Sequence, residues 1–202
     1  MEPTSSKFFL VFFLVETLIS SSCIYSASAA RNSLPKTNTE FIRTSCSATS
    51  YPKLCFSSLS IHASTIQTSP ELLAGTALNV TLSSAKSTSF MMVKLSQSHG
   101  INPREVAAMK DCIEELSDSV DQLRNAIGEM SQLRRSNFDL VMNDIQTWVS
   151  AALTDENTCT DGFAGKTMNG ELKIAVKGRI VNVAQLTSNA LALINKYAIL
   201  HG

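Results

Sequence analysis

Glycine and proline are scarce in this sequence, with eight and five among 202 residues, and tryptophan occurs once. That scarcity excludes collagen-like, low-complexity and turn-dense all-β architectures. Net charge is also missing: 17 basic residues balance 17 acidic ones, so there is no electrostatic footprint for nucleic acid. No apolar run approaches the roughly 20 residues that a membrane-spanning helix needs. Five cysteines and three histidines show no CxxC or HxxxH spacing, so neither a metal nor a cofactor is expected. What is abundant is hydrophobic surface, 44% of residues against 17% charged, enough for the core of one ordinary domain.

The first thirty residues stand apart. Lys7 precedes an eight-residue apolar run, Phe8 to Val15, which Glu16 ends; a serine-rich stretch then leads to Ala27-Ser28-Ala29-Ala30. A basic residue, a short apolar segment and small residues at a cleavage site describe a secretory signal peptide over 1–30, leaving 31–202 as the mature domain. Losing Glu2, Lys7 and Glu16 leaves a net charge near +1, and losing Cys23 leaves Cys46, Cys55, Cys112 and Cys159. Four cysteines in a secreted chain read as two disulfides with three conceivable pairings. Cys46 and Cys55 enclose the turn signal Tyr51-Pro52, so a local bridge is the simplest choice, and it leaves Cys112 for Cys159. One glycosylation sequon is present, Asn79-Val80-Thr81.

The mature chain reads as helices. Over 103–133, Val106, Met109, Ile113, Leu116, Val120, Leu123, Ile127 and Met130 form an unbroken seam at helical spacing. Asn102 is placed to cap it and Pro103 to open it. A second seam runs through Val176, Ile180, Val183, Thr187, Ala190, Ile194 and Tyr197, with Gly178 inside it suggesting a close helix contact. Weaker seams carry Leu78, Leu82, Ala85, Ser89 and Met92 over 70–96, and Val141, Ile145, Trp148 and Ala152 over 138–155; the latter turns the single tryptophan inward. Cys159 falls just past that helix, ahead of a Gly-rich loop from Thr160 to Gly170. The expected fold is all-α: an antiparallel up-down-up-down four-helix bundle over 70–200, preceded by a cysteine-closed helical hairpin over 38–65.

Catalytic chemistry is not evident. His62, His99 and His201 have no nucleophile and acid arranged around them as a triad requires, and neither GxSxG nor a phosphate loop occurs. No enzyme activity is expected. The surface is more informative. Asp111, Glu114, Asp118 and Asp121 follow one another at helical spacing opposite the 106–130 seam, a carboxylate stripe with no basic residue inside it. Either it is a solvated face, or it docks a basic partner. Away from Trp148, the next helix offers Asn143, Gln146, Thr147, Ser150 and Thr154, a small, polar, uncharged face.

Five segments in order resemble the plant invertase/pectin methylesterase inhibitor family. They are Phe41 to Cys46 with Thr49 to Cys55, Lys110 to Leu116, Gln146 to Thr154, Thr158 to Phe163, and Asn182 to Leu193. The resemblance covers about 38–200. It implies a secreted, apoplastic protein with bridges 46–55 and 112–159 that inhibits a cell-wall carbohydrate enzyme by covering its active-site cleft in a reversible one-to-one complex. The Thr-Trp-x-Ser-Ala-Ala-Leu-Thr and Thr-Cys-x-Asp-Gly-Phe segments are similar to the methylesterase branch. The Pro-Lys-Phe of the invertase branch has no counterpart in 160–172, which contain no proline. Pectin methylesterase is therefore the expected partner, invertase the alternative, and a non-inhibitory structural or carrier bundle the reading from another class. The same domain occurs as the pro-region of pectin methylesterases; with no catalytic domain before the end at Gly202, a stand-alone inhibitor is expected. The expected interface is Asp111, Glu114, Asp118, Asp121, Asn143, Thr147 and Ser150, with no membrane partner once the leader is removed.

Overall fold

The computed structural model describes residues 36–98, 100–164 and 170–201. The leader expected over 1–30, His99 and residues 165–169 of the loop expected from the sequence lie outside them. Among the described residues every regular element is helical. Helix α1 (Lys36–Cys46) and helix α2 (Pro52–Leu59) form the hairpin; a 3-10 turn (Ser60–His62) and the short α3 (Ala63–Ile66) lead out of it. The bundle follows as α4 (Pro70–Ser96), α5 (Pro103–Met130), α6 (Phe138–Gly162) and α7 (Gly170–His201).

The few prolines begin helices. Pro52, Pro70 and Pro103 each stand in a first helical turn, where the missing N–H costs nothing. Ser69 caps α4, its Oγ accepting from the Leu72 N–H at 3.2 Å. Asn102 and Glu105 make a reciprocal capping box on α5: the Glu105 N–H donates to Asn102 Oδ1 at 2.9 Å, and the Asn102 N–H to Glu105 Oε2 at 3.2 Å. Gln67 turns the chain from hairpin to bundle with φ of 53°, a left-handed conformation uncommon for a side-chain-bearing residue.

Helices α4 and α6 each pack against both α5 and α7. Cross-links fix the directions. Cys112–Cys159 and Ser119–Glu156 join α5 to α6 in antiparallel register, and Gln146–Asn195 and Glu156–Thr187 do the same for α6 and α7. The hairpin is closed by Cys46–Cys55, whose Cα atoms lie 5.5 Å apart. It is pinned to the bundle by Asn189 of α7, buried and doubly bonded to one residue: Asn189 Oδ1 accepts from the Tyr51 N–H at 3.0 Å, and its Nδ2 donates to the Tyr51 carbonyl at 3.1 Å.

The α7 seam is buried at all seven positions. The α5 seam is rotated: Met109, Leu116, Val120 and Leu123 are buried, Val106, Ile113, Ile127 and Met130 only partly, and Cys112, Ser119 and Ala126 complete the inner face. Three expectations need correction. Trp148 is 36% exposed rather than in the core, because the buried stripe of α6 runs 145, 149, 152, 156, 159 and puts Val149 inside. One residue is about 100° on a helix, which moves the indole to the flank. Gly178 marks no close contact; it faces outward, and a Cβ there would meet nothing within 4 Å. Helix α6 runs on to Gly162, so Cys159 and Thr160 are helical rather than past its end.

Candidate functional site

The acidic and polar faces expected from the sequence lie on two helices that pack together. Asp111, Glu114, Asp118 and Asp121 are all exposed on α5, and Asn143, Thr147 and Ser150 are all exposed on α6. Asp111 and Glu114 line a groove of about 820 Å³ between the helices, with Arg104, Glu115, Thr158 and Asp161 around the Cys112–Cys159 bridge.

The carboxylates form a wider group than the stripe. Glu115 and Asp155, half-buried where α5 meets α6, extend it across the interface. Burial pushes Glu115 above the usual carboxylate range, and the charges of Asp155, Asp118, Glu114 and Asp111 push it further. Asp155 is raised by burial and by Asp118, against a hydrogen bond from the Gln122 side chain that favours its charged form. Such mutual repulsion describes a face that a cation would relieve. One end is already relieved: Asp121 pairs with Arg124 one turn on, so the stripe is not purely anionic where it nears the C-terminal half of α5.

The α6 face is quiet by construction. Thr147 Oγ1 donates to the Asn143 carbonyl at 2.9 Å and Thr154 Oγ1 to the Ser150 carbonyl at 3.0 Å. These hydroxyls are satisfied by their own helix, so covering them strands no donor. Gln146 leaves this face; its Nε2 donates to Asn195 Oδ1 of α7 at 2.9 Å. Trp148 stands at the margin, next to Thr147.

Sequence reasoning missed Glu156 altogether. It is fully buried, and its Oε1 accepts from Ser119 Oγ at 2.7 Å and from Thr187 Oγ1 at 2.9 Å, tying α5, α6 and α7 together. Its Oε2 has no hydrogen-bond partner among the described residues. Burial lifts its pKa to about 7, against the two hydroxyl bonds and with a smaller contribution from the Asp155 charge. An acidic residue in Asp155-Glu156-Asn157 reads as surface; the only signal was that it falls at core spacing from Ala152 and Cys159. Among the described residues, no group of three or more His, Cys, Asp or Glu could hold a metal ion, and no helix is long and apolar enough to cross a membrane. Asn79 is exposed on α4, its Nδ2 donating to the Gly75 carbonyl at 2.8 Å.

Comparison with known proteins agrees with the all-helical fold. Residues 40–193 match the family model described as plant invertase/pectin methylesterase inhibitor. Pectinesterase inhibitor 11 of Arabidopsis thaliana is 47% identical over 194 residues, covering 94% of this chain and 95% of that protein. A 21 kDa protein of Daucus carota is 47% identical over 165 residues, 80% of this chain and 86% of that one. Pectinesterase 2 of Arabidopsis thaliana is 32% identical over 163 residues, which are 80% of this chain and 28% of that longer protein. The crystal structure of a mutant form of a pectin methylesterase inhibitor from Arabidopsis shares the fold, with a TM-score of 0.63 at 22% identity over 76% of this chain and 95% of that one.

Proposed function

Since the chain belongs to the plant invertase/pectin methylesterase inhibitor family, we propose that it is a secreted inhibitor of pectin methylesterase. It covers the enzyme's active-site cleft in a reversible one-to-one complex, and so limits pectin de-esterification in the cell wall. The observation that carries this reading is the 47% identity with pectinesterase inhibitor 11 over nearly the full length of both chains. Residues 1–30 serve as the leader, and 31–202 as the inhibitor.

The docking surface in this reading is Asp111, Glu114, Asp118, Asp121, Asn143, Thr147 and Ser150. Supporting it are the exposure of all seven, the mutual repulsion of the carboxylates, and the self-satisfied hydroxyls beside them. A basic enzyme surface would be steered onto the acidic half, and the flat half would tolerate close approach. Thr147→Glu, and Asp118→Lys with Asp121→Lys, should each cost about 1–3 kcal/mol of binding, with circular dichroism unchanged. Unaltered affinity in both would move the interface to α4 or α7. The decisive experiment mixes the purified protein with pectin methylesterase and, separately, with invertase. Loss of methylesterase activity alone is expected; loss of invertase activity alone would overturn the reading. In a plant or insect host, Asn79 should carry a glycan that a glycosidase removes and that Asn79→Gln lacks.

A further inference from the structure

At the end of the bundle where α5 hands over to α6 lies a second pocket, of about 550 Å³, built from different chemistry. Its lining is Glu71, Leu133, Arg134, Arg135, Phe138, Tyr197 and His201. Three rings form an aromatic cluster: Tyr197 and His201 have centroids 4.6 Å apart, and Phe138 meets Tyr197 edge-on at 5.6 Å. His201 is held by its Nδ1, 3.1 Å from the Tyr197 carbonyl.

The arginines stand on a braced loop. Asn137 Oδ1 accepts from the Arg134 N–H at 2.7 Å, its Nδ2 donates to the Gln132 carbonyl at 3.2 Å, and its own N–H donates to the Arg134 carbonyl at 3.1 Å. Arg134 Nη1 donates to the Leu133 carbonyl at 2.8 Å, which orients that guanidinium. Both arginines are exposed, and among the described residues neither is in an ion pair. The one carboxylate here, Glu71, faces the Tyr197 hydroxyl.

Flat rings accept the C–H face of a sugar, a guanidinium takes a carboxylate in two parallel bonds, and a lone carboxylate accepts hydroxyls. The volume lies within the range of small-ligand clefts. Two arginines against one glutamate leave the lining positive on balance, which favours an anionic ligand. We propose that this pocket binds an acidic saccharide, a uronate unit of a de-esterified polyuronate, with Arg134 and Arg135 on its carboxylate and the exposed His201 ring, backed by Phe138 and the buried Tyr197, against its face. The choice of a uronate among anionic rings rests on the wall setting of the proposed function. The site itself is separate from the enzyme-facing surface on α5 and α6. Such a pocket would hold the inhibitor on the product of the reaction it restrains.

The test is calorimetric titration of the mature, disulfide-bonded protein with a de-esterified oligogalacturonide, its methyl ester, and inorganic phosphate. Saturable binding of the free acid is expected, with the ester and phosphate weaker by about tenfold, the loss of a charge-assisted bidentate contact. Arg134→Ala with Arg135→Ala should abolish it, and Phe138→Leu, which keeps the packing, should weaken it severalfold. Inhibition of the methylesterase should be unchanged in the arginine variant. No saturable binding of the acid, equal binding of its ester or of phosphate, or undiminished binding by the arginine variant would each overturn the proposal. Inhibition is scored separately, so failure here leaves the inhibitor reading standing, and loss of inhibition in the parent protein would not mimic it.

Discussion

The bundle has two cores that are built differently. The larger gathers the hairpin and most of the bundle around Ile42, Leu59, Ile66, Leu78, Leu123, Ile145 and Ile194. The smaller holds Met92, Met109, Cys112, Leu116, Cys159, Phe163, Val176 and Ile180, at the opposite end. Between them lies the buried Ser119–Glu156–Thr187 group, which interrupts the apolar stripes of α5, α6 and α7. The first core combines many branched side chains from all parts of the chain. The second is small, uses flexible methionines and contains a disulfide. Both ends carry a bridge, but Cys46–Cys55 closes only the short hairpin within the large core, whereas Cys112–Cys159 joins two long bundle helices through the small one, and it is this end that borders the acidic groove.

Removing the clamps should separate the two ends most sharply. In the loop-entropy account, the separation of 47 residues between Cys112 and Cys159 corresponds to about 4 kcal/mol, and the separation of 9 between Cys46 and Cys55 to about 3 kcal/mol. Cys112→Ala with Cys159→Ala should therefore lower the unfolding free energy more than Cys46→Ala with Cys55→Ala, measured by denaturant titration. Equal losses would mean that the small core holds itself. Non-reducing peptide mapping should return only these two linkages.

The polar layer comes next. Burial raises Glu156 to about 7 in the folded chain, above the usual glutamate value of 4.5. The folded state thus binds the proton more tightly, and the associated stability is fully present below about 4.5 and lost as pH rises through about 7. A shift of that size corresponds to about 3 kcal/mol. Glu156→Gln keeps both hydroxyl acceptor contacts and cannot ionise, so its stability should be nearly flat over that window while the parent declines. The same decline in the variant would place the titrating group among Glu115 and Asp155, which are raised in the same direction.

Single apolar substitutions sharpen the contrast in packing. Met92→Leu in the small core should cost less than about 1.5 kcal/mol, because volume-conserving swaps are tolerated. Leu78→Ala in the large core should cost about 2–5 kcal/mol, as cavity-forming truncations do. Salt should act on association alone: raising ionic strength should slow docking of a basic enzyme onto the acidic face and leave chain stability almost unchanged.

The sequence was most legible where one physical force acted. Along α7, helical periodicity marked the buried face, and the seam from Val176 through Tyr197 could be read directly. Along α5 the inner face is wide and takes in Cys112 and Ser119 beside Met109, so a single line of apolar residues could not describe it. Trp148 and Val149 are one position apart and both apolar, and only the direction of the α6 stripe decides between them. The carboxylates of α5 were visible as a stripe, but Asp155 joins them from another helix, which no spacing within one helix reveals. Glu156 was hidden for the opposite reason: its charge argued for solvent, and two hydroxyls distant in sequence made burial tolerable.

The place of Trp148 carries an optical consequence. It is the sole indole in the chain, partly open to water, and adjacent to Thr147 on the α6 surface. Its emission therefore originates from one known spot at the margin of the proposed enzyme-facing surface. A partner that covers this spot would dry the ring and shift its emission to shorter wavelength, while separation of the hairpin from the bundle would leave it largely unmoved. The protein thus carries a native fluorophore that distinguishes covering of one face from loosening of another part of the molecule, without any label added.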